Sequence, residues 1–360
     1  MKILVLPKDG NPYQELLYTP LRKQGVVADY LSRPTPSHTL NLALLPLHLL
    51  YKRLQGYDVV HIHWMYMFGL PWSGSKAKRI AQSYQAMCLW LIKKYGYTLV
   101  WTAHNTLPHT PIFADDLEAR RTLGKRADLI ITHSTATIEA LSDMGVAPKG
   151  KMTVISHGNY AGIYPDTLTR GQAREKLGLS EDAFVALFFG KIEGYKNVPE
   201  LLGAAKELAA NYPGLHVVVA GSCRDKKLAK RIETEAHDLG ANVQLHLGFV
   251  ADDEIQTFLR AADVMALPFS EVTTSSSAIL GLTFGLPVIA PRLGALADFP
   301  AEAGFFYDPT DKEGLVNALV AAMRQPTLKP WQSAAKAYAE SLSWHKTAKR
   351  TIGRIAAARS

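Results

Sequence analysis

The sequence predicts an α/β protein of two doubly wound parallel-sheet domains, and three observations carry that expectation. Strand-like apolar runs alternate with helix-like runs along the whole chain, the pattern of parallel sheets wrapped by helices. The 360 residues, 48% of them hydrophobic, suit two domains of ordinary size. The segment 266–291, ALPFSEVTTSSSAILGLTFGLPVIAP, reads as strand, hydroxyl-rich loop, helix start, Gly-Leu-Pro turn and second strand. In an open α/β sheet such a loop lies at the carboxyl edge, where ligands bind.

The elements follow in order. Strand-like runs occupy 3–7, 26–31, 58–64, 98–104, 129–134 and 152–157, and a second series occupies 184–191, 216–221, 242–249, 264–269, 287–291 and 305–307. The two series predict similar Rossmann-like domains joined near 164–170, one over 1–165 and one over 166–330. The rest, 331–360, has helical composition and fits a tail that packs back toward the first domain. No low-complexity tract or internal repeat interrupts them, and Met1-Lys2 leads straight into a strand-like run rather than a signal peptide. Two cysteines far apart, Cys88 and Cys223, show no metal spacing and suggest a reduced, cytoplasmic protein.

The net charge of +8 is unevenly spread: residues 1–165 carry 18 Lys+Arg against 10 Asp+Glu, and the remainder carries 22 of each. Aromatic residues are not interleaved with the basic ones as a nucleic-acid stacking platform requires, so nucleic acid is not an expected partner. The runs 38–55 and 75–95 are rich in Leu, Ile, Met and Trp with Lys and Arg at their ends. Each reads equally well as a crossover helix packed on a sheet. Together with the charge excess, they point to an anionic membrane surface on the cytoplasmic side.

The chemistry is read from the strand ends. Four first-series strands end in histidine, at His63, His104, His133 and His157, and imidazole is the side chain best suited to proton transfer near neutral pH. In the second series the hydroxyls and N–H groups of Ser275, Ser276 and Ser277 open a helix whose positive dipole end favours phosphate. Lys191 closes a strand and Lys196 precedes a helix, with Glu193 in the turn between them. No G-x-G-x-x-G fingerprint, G-K-[ST] loop, G-x-S-x-G elbow or H-E-x-x-H is present. No Asp-x-Asp occurs either, so no metal is expected and a bound diphosphate must be neutralised by lysines and N–H groups.

Lys191, Glu193, Lys196 and Asn197, with AGS at 220–222, LGFV at 247–250 and FGLPVIAP at 284–291, resemble the donor half of the GT-B nucleotide-sugar glycosyltransferases. NPYQELLY at 11–18, YDVVHIHW at 57–64, TAHNTLPH at 102–109 and HGNY at 157–160 are similar to the β-1,4-mannosyltransferases of xanthan-type exopolysaccharide assembly. The resemblance implies a GT-B fold of two Rossmann-like domains with an interdomain cleft. It implies a GDP-sugar donor, favoured over a UDP-sugar, held by Lys191, Glu193, Lys196, Ser275, Ser276, Ser277, His157 and Gly158. It implies a polyprenyl-diphosphate-linked or other glycan acceptor near Asn11, Tyr13, Trp64 and Asn105, and no cofactor besides the substrate.

One departure bears on mechanism. The large retaining family of similar fold carries two glutamates eight residues apart, whereas Glu271 is followed eight residues on by Ile279. The Ser-rich run resembles the inverting enzymes, so transfer of mannose from GDP-mannose with inversion is expected. His104 is the first candidate for the base, with His63 and Glu271 behind it. The alternatives are a retaining transferase using another nucleotide sugar, a nucleotide-sugar epimerase of the same fold, and, last, a non-catalytic basic binding module.

Overall fold

The computed structural model describes residues 1–31, 34–72, 74–108 and 110–359. His109, which ends the 102–109 motif, and Ser360 of the tail lie outside the described residues. The described residues form two six-stranded parallel sheets.

In the first sheet the strands are β1 (Lys2–Leu6), β2 (Val27–Tyr30), β3 (Val59–Ile62), β4 (Thr98–Thr102), β5 (Leu129–Thr132) and β6 (Met152–Val154), in the order β2-β1-β3-β4-β5-β6. Between them run α1 (Tyr13–Arg22), α2 (His38–Leu54), α3 (Ser75–Lys94), α4 (Asp116–Arg126) and α5 (Thr135–Asp143). Polar residues open these helices as propensity predicts: Ser37, Asp115 and Ser134 each accept a backbone N–H three residues on. Strand alternation then sorts the core onto two faces. Leu4, Leu6, Val60, Ile62, Leu99 and Trp101 meet Leu45 and Leu49 of α2, Leu89 and Ile92 of α3 and Leu123 of α4. Ile3, Val5, Val59, Val100 and Ile131 meet Tyr18 and Leu21 of α1.

The second sheet contains β7 (Phe184–Phe189), β8 (Leu215–Ala220), β9 (Val243–His246), β10 (Val264–Ala266), β11 (Val288–Pro291) and β12 (Gly304–Tyr307), in the order β12-β11-β10-β7-β8-β9. Its helices are α6 (Arg170–Leu177), α7 (Val198–Leu208), α8 (Lys226–His237), α9 (Ile255–Ala261), α10 (Ser276–Thr283), α11 (Gly314–Met323) and α12 (Lys329–Ser341). A wholly buried Arg174 anchors α6. It pairs with Asp263 at 2.8 Å and donates to the carbonyls of Ser180, Glu181, Ala183 and Ala261, the full set of partners that a buried charge requires.

The division between units differs from the sequence expectation. The first unit is Met1–Gly158 with Trp344–Ser360, and the second is Asn159–Ser343. The first break therefore falls before Asn159, ahead of the predicted join, because Asn159 bonds within the second unit: its N–H to Leu342 O at 2.8 Å and its side-chain amide to Ala339 O at 2.7 Å. The predicted tail 331–360 is likewise two things. α12 stays in the second unit, whereas α13 (Trp344–Ala357) lies against α1, burying Ala348 and Ile355 in the apolar face that α1 alone leaves open. Thr347 Oγ1 also donates to Ser156 O at 3.0 Å. Because α13 and its flank are basic, the first unit carries 23 Lys+Arg against 10 Asp+Glu, and the second carries 17 against 22.

Candidate functional site

A doubly wound sheet opens a crevice where the chain reverses direction across it. In the second unit that point lies between β7 and β10, since β8 and β9 go one way and β10 to β12 the other. The loop after β7 carries Gly190, Lys191, Glu193 and Lys196, and the loop after β10 carries Glu271 and Ser275, so the lysines and the serines meet there. Ser270 joins the two loops by donating its N–H to Tyr195 O at 2.8 Å.

The meeting point is Gly190. A Cβ on that residue would lie 2.6 Å from Ser277 Oγ and 3.7 Å from Lys196 Nζ, and its φ of +124° disfavours any side chain. Gly221, at φ +148°, clears it from the next strand: a Cβ there would stand 1.9 Å from Gly190 O. A hydroxyl, an ammonium and bare backbone thus converge on one spot. Ser275 caps α10 by accepting the Ala278 N–H at 3.1 Å, leaving the first helical N–H groups of Ser276 and Ser277 directed at the loop. Lys196 lies over the Phe269 ring at 5.6 Å, and burial pulls its ammonium down to about 8, with Glu193 opposing that shift and Lys191 adding to it. Lys191 is exposed and already paired with Glu193. Glu271 is exposed. Thr274 Oγ1, nearby in the same loop, is buried without a hydrogen-bond partner among the described residues.

In the first unit the corresponding crevice lies between β1 and β3. Strands β3, β4, β5 and β6 stop just short of His63, His104, His133 and His157, and His61 lies within β3. All five rings are buried. Tyr13, at the start of α1, is their hub, with ring centroids 5.7 Å from His63, 4.8 Å from His104, 5.4 Å from His133 and 5.0 Å from His157. Trp344 closes the side at 5.2 Å from Tyr13. Gly158 packs against that indole, where a Cβ would come within 2.3 Å of the ring. Trp64 stacks on His104, 4.2 Å away and 18° from parallel.

The sequence candidates therefore have different surroundings. His63 has both ring nitrogens occupied, one by Tyr18 Oη at 2.8 Å and one by His104 Nε2 at 3.1 Å, so it acts through its neighbours and has no free atom for a substrate. Tyr13 and Gly158 are buried packing elements. Asn11 is exposed but spends its side-chain oxygen on the Tyr13 N–H at 2.9 Å, and Asn105 is half-buried beside His104. His157 donates from Nδ1 to Gly158 O at 2.6 Å. Sequence reasoning missed Tyr18 and Gly190, whereas Thr274 lies in the hydroxyl-rich loop that it singled out. Gly190 carried a legible signal, as a glycine immediately after a strand and before Lys191. Among the described residues no group of three or more His, Cys, Asp or Glu is arranged to hold a metal ion.

The imidazoles are held neutral. Burial lowers His61 and His157 to about 3 and His133 to about 4. Burial, with the neighbouring imidazoles adding to it, places His63 and His104 well below the ordinary histidine range. An unfolded histidine titrates near 6.5, so the unfolded chain takes up protons that the native cluster refuses. Stability is therefore full above about pH 6.5 and falls as the pH drops toward 3–4. For His61, His133 and His157 the cost is about 2 kcal/mol per ring between pH 7 and pH 5. Urea denaturation at the two pH values checks this, and an unchanged midpoint would show that the rings titrate freely.

The sequence pattern of the family described as "Glycosyl transferases group 1" matches residues 169–340, and that of "Glycosyltransferase Family 4" matches residues 3–158. A D-inositol 3-phosphate glycosyltransferase of Acidothermus cellulolyticus is 25% identical, over 95% of this chain and 78% of its own length. One of Rhodococcus erythropolis is 29% identical, over 72% of this chain and 62% of its own length. Among solved structures, HepE of Anabaena in complex with UDP and glucose superposes with a TM-score of 0.73 at 19% identity, covering 99% of this chain and all of its own. The sucrose-phosphate synthase of Thermosynechococcus elongatus superposes at 0.75 with 18% identity, covering 99% of each chain. At these identities the structures speak for the fold and the sequence patterns for the activity: the chain is a glycosyltransferase of GT-B fold whose second half carries the group 1 pattern.

Proposed function

We propose that the chain transfers a hexose from a nucleoside-diphosphate sugar, held by the second unit, to an acceptor hydroxyl on a lipid-linked glycan at an anionic membrane surface. The observation that carries the donor half is the convergence of Lys196 Nζ and Ser277 Oγ on Gly190 at the sheet's switch point. A diphosphate fills that spot, neutralised by a half-desolvated ammonium and by the α10 amino terminus. The family replaces the epimerase and the binding-module readings. The resemblance to xanthan-type mannosyltransferases favours GDP-mannose and exopolysaccharide assembly. The names of the curated relatives and the UDP-bound HepE favour a second reading, a UDP-sugar with an inositol phosphate acceptor.

Lys196 and Lys191 contribute unequally. Lys196→Met is expected to weaken binding of the preferred nucleoside diphosphate by about 1.5–3 kcal/mol, as for a hydrogen bond to a charged group. Lys191→Ala costs less than about 1 kcal/mol, since that lysine is exposed and spoken for by Glu193. The sign with pH follows from Lys196: wild-type affinity weakens as the pH rises past about 8, and the variant loses that dependence. Calorimetric titration with GDP and UDP at pH 7 and pH 9 reads all three, and equal affinity in wild type and Lys196→Met would overturn the placement.

Inversion is supported by Ile279, a buried residue of α10 where the retaining pattern has its second glutamate. Attack of the acceptor oxygen on C1 breaks the bond to the diphosphate on the opposite face, so an α-linked donor yields a β-glycoside. Proton NMR of the product decides it, and an α-linked product rejects inversion.

The acceptor half rests on α2 and α3. Each buries one face in the core, yet Leu47 and Leu54 of α2 are 66% and 80% exposed and Ile80 and Trp90 of α3 are 55% and 48% exposed, beside the exposed Lys76, Arg79 and Lys94. Such a face suits an anionic leaflet, each basic residue near the surface contributing about 1 kcal/mol. No helix of the described residues is long and apolar enough to cross a membrane. Vesicle sedimentation is expected to show binding to anionic vesicles that Leu47→Glu and Lys94→Glu weaken. Equal binding to neutral vesicles removes the electrostatic part.

A further inference from the structure

The five groups Thr102, His61, Tyr18, His63 and His104 form one continuous hydrogen-bonded chain. Thr102 Oγ1 meets His61 Nε2 at 2.7 Å, His61 Nδ1 meets Tyr18 Oη at 2.7 Å, Tyr18 Oη meets His63 Nε2 at 2.8 Å, and His63 Nδ1 meets His104 Nε2 at 3.1 Å. Every contact needs one proton, and a neutral imidazole carries one N–H and one lone pair. With Tyr18 donating one proton and accepting one, two polarities satisfy the links and differ only at the ends; a Tyr18 that accepted from both rings would leave its own buried proton without an acceptor among the described residues.

From the geometry we infer that Thr102 sets the polarity of this chain, and with it the tautomer of His104, which presents Nδ1–H to the crevice and donates a hydrogen bond there rather than taking a proton. Thr102 is wholly buried, and its hydroxyl has no acceptor other than His61 Nε2 among the described residues. If the chain ran the other way, His61 would donate to Thr102 and leave that hydroxyl proton facing nothing, an interior orphan of the kind that folded proteins avoid. With Thr102 donating, His61 donates from Nδ1 to Tyr18, Tyr18 donates to His63 Nε2, and His63 donates from Nδ1 to His104 Nε2. The remaining proton of His104 is then on Nδ1, which no described residue bonds.

The chain cannot serve as a wire that drains protons from a substrate. Its far end is an alcohol, which holds no second proton, and burial keeps the intervening rings neutral. Thr102, His61, Tyr18 and His63 are positioning residues. The group that His104 meets is an acceptor, such as a sugar hydroxyl oxygen or a phosphoryl oxygen. That last assignment rests on the proposed transfer reaction, whereas the tautomer rests on the first unit alone, and the general base is then a group other than His104.

Long-range proton–nitrogen correlation spectra of the labelled full-length protein at pH 7.5, without substrate, read the tautomer of each ring directly, with His104→Gln identifying the His104 signals. The expected result is His104 protonated on Nδ1 in the wild type and in Thr102→Ser, which keeps the hydroxyl. In Thr102→Val the anchor is gone, and His104 shifts to a mixture of both tautomers. Protonation of His104 on Nε2 in the wild type overturns the inference, whatever becomes of Thr102→Val, and so does a Thr102→Val spectrum with the His104 tautomer unchanged. A protein that shows the expected tautomer yet transfers no sugar would leave the inference standing and reject the proposed function.

Discussion

Parallel pairing of every strand is the constraint on which the rest depends. Parallel strands all end at the same edge of their sheet, so whatever follows a strand is delivered to one line of loops. In the first unit that line receives imidazoles, because β3, β4, β5 and β6 each stop within three residues of a histidine. In the second it receives glycine, lysine and serine. The crossing order then selects a point on each line, between β1 and β3 and between β7 and β10. There the chain leaves in opposite directions, and an open α/β sheet binds its ligand in the crevice this makes.

The two edges handle polarity in opposite ways. The first packs its imidazoles around Tyr13 and out of water, and they remain because each is neutral and most of their nitrogens are bonded within the fold. His133 shows the limit of that solution: its Nδ1 donates to Ile155 O at 2.8 Å while its Nε2 is buried with no partner among the described residues. The second edge keeps a cation only partly desolvated. Lys196 is tolerated because the Phe269 face and the Glu193 charge offset part of its burial. The first edge is thus preorganised by hydrogen bonds between neutral groups, the second by an unfilled demand for negative charge.

All twelve strands were legible in the sequence, since buried parallel strands are short apolar runs bounded by turn residues. Ten of the runs overshoot at their carboxyl ends, while 287–291 and 305–307 end with β11 and β12; beyond β10 the cause is apolarity that continues into the loop, at the buried Leu267 and Phe269. Of the site, the Lys and Ser loops could be read because each is contiguous. The chain from Thr102 to His104 could not: Tyr18 and His61 lie 43 positions apart and His61 and Thr102 lie 41 apart, so only the fold makes them neighbours. The place of α13 was half legible. Helical composition foretold a helix, but not that residues 329–341 and 344–357 would part company, which follows from the apolar face of α1 that Ala348 and Ile355 of α13 cover.

That return of α13 also decides what the charge can do. It leaves the first unit with 13 more basic than acidic residues and the second with five more acidic than basic. A nucleoside diphosphate is an anion, and the unit proposed to hold it is itself net negative. At physiological ionic strength fields from exposed charges fade over about 8 Å, so the unit's overall charge neither rescues nor forbids binding. In the proposed donor site what matters is the few groups gathered at Gly190: Lys196, the Ser277 hydroxyl and the amino terminus of α10. In the membrane contact proposed above, the excess on the first unit acts by the opposite logic. A leaflet is an extended array of charge, so many weak contributions from separate lysines and arginines add across it, and no single one of them has to be well placed.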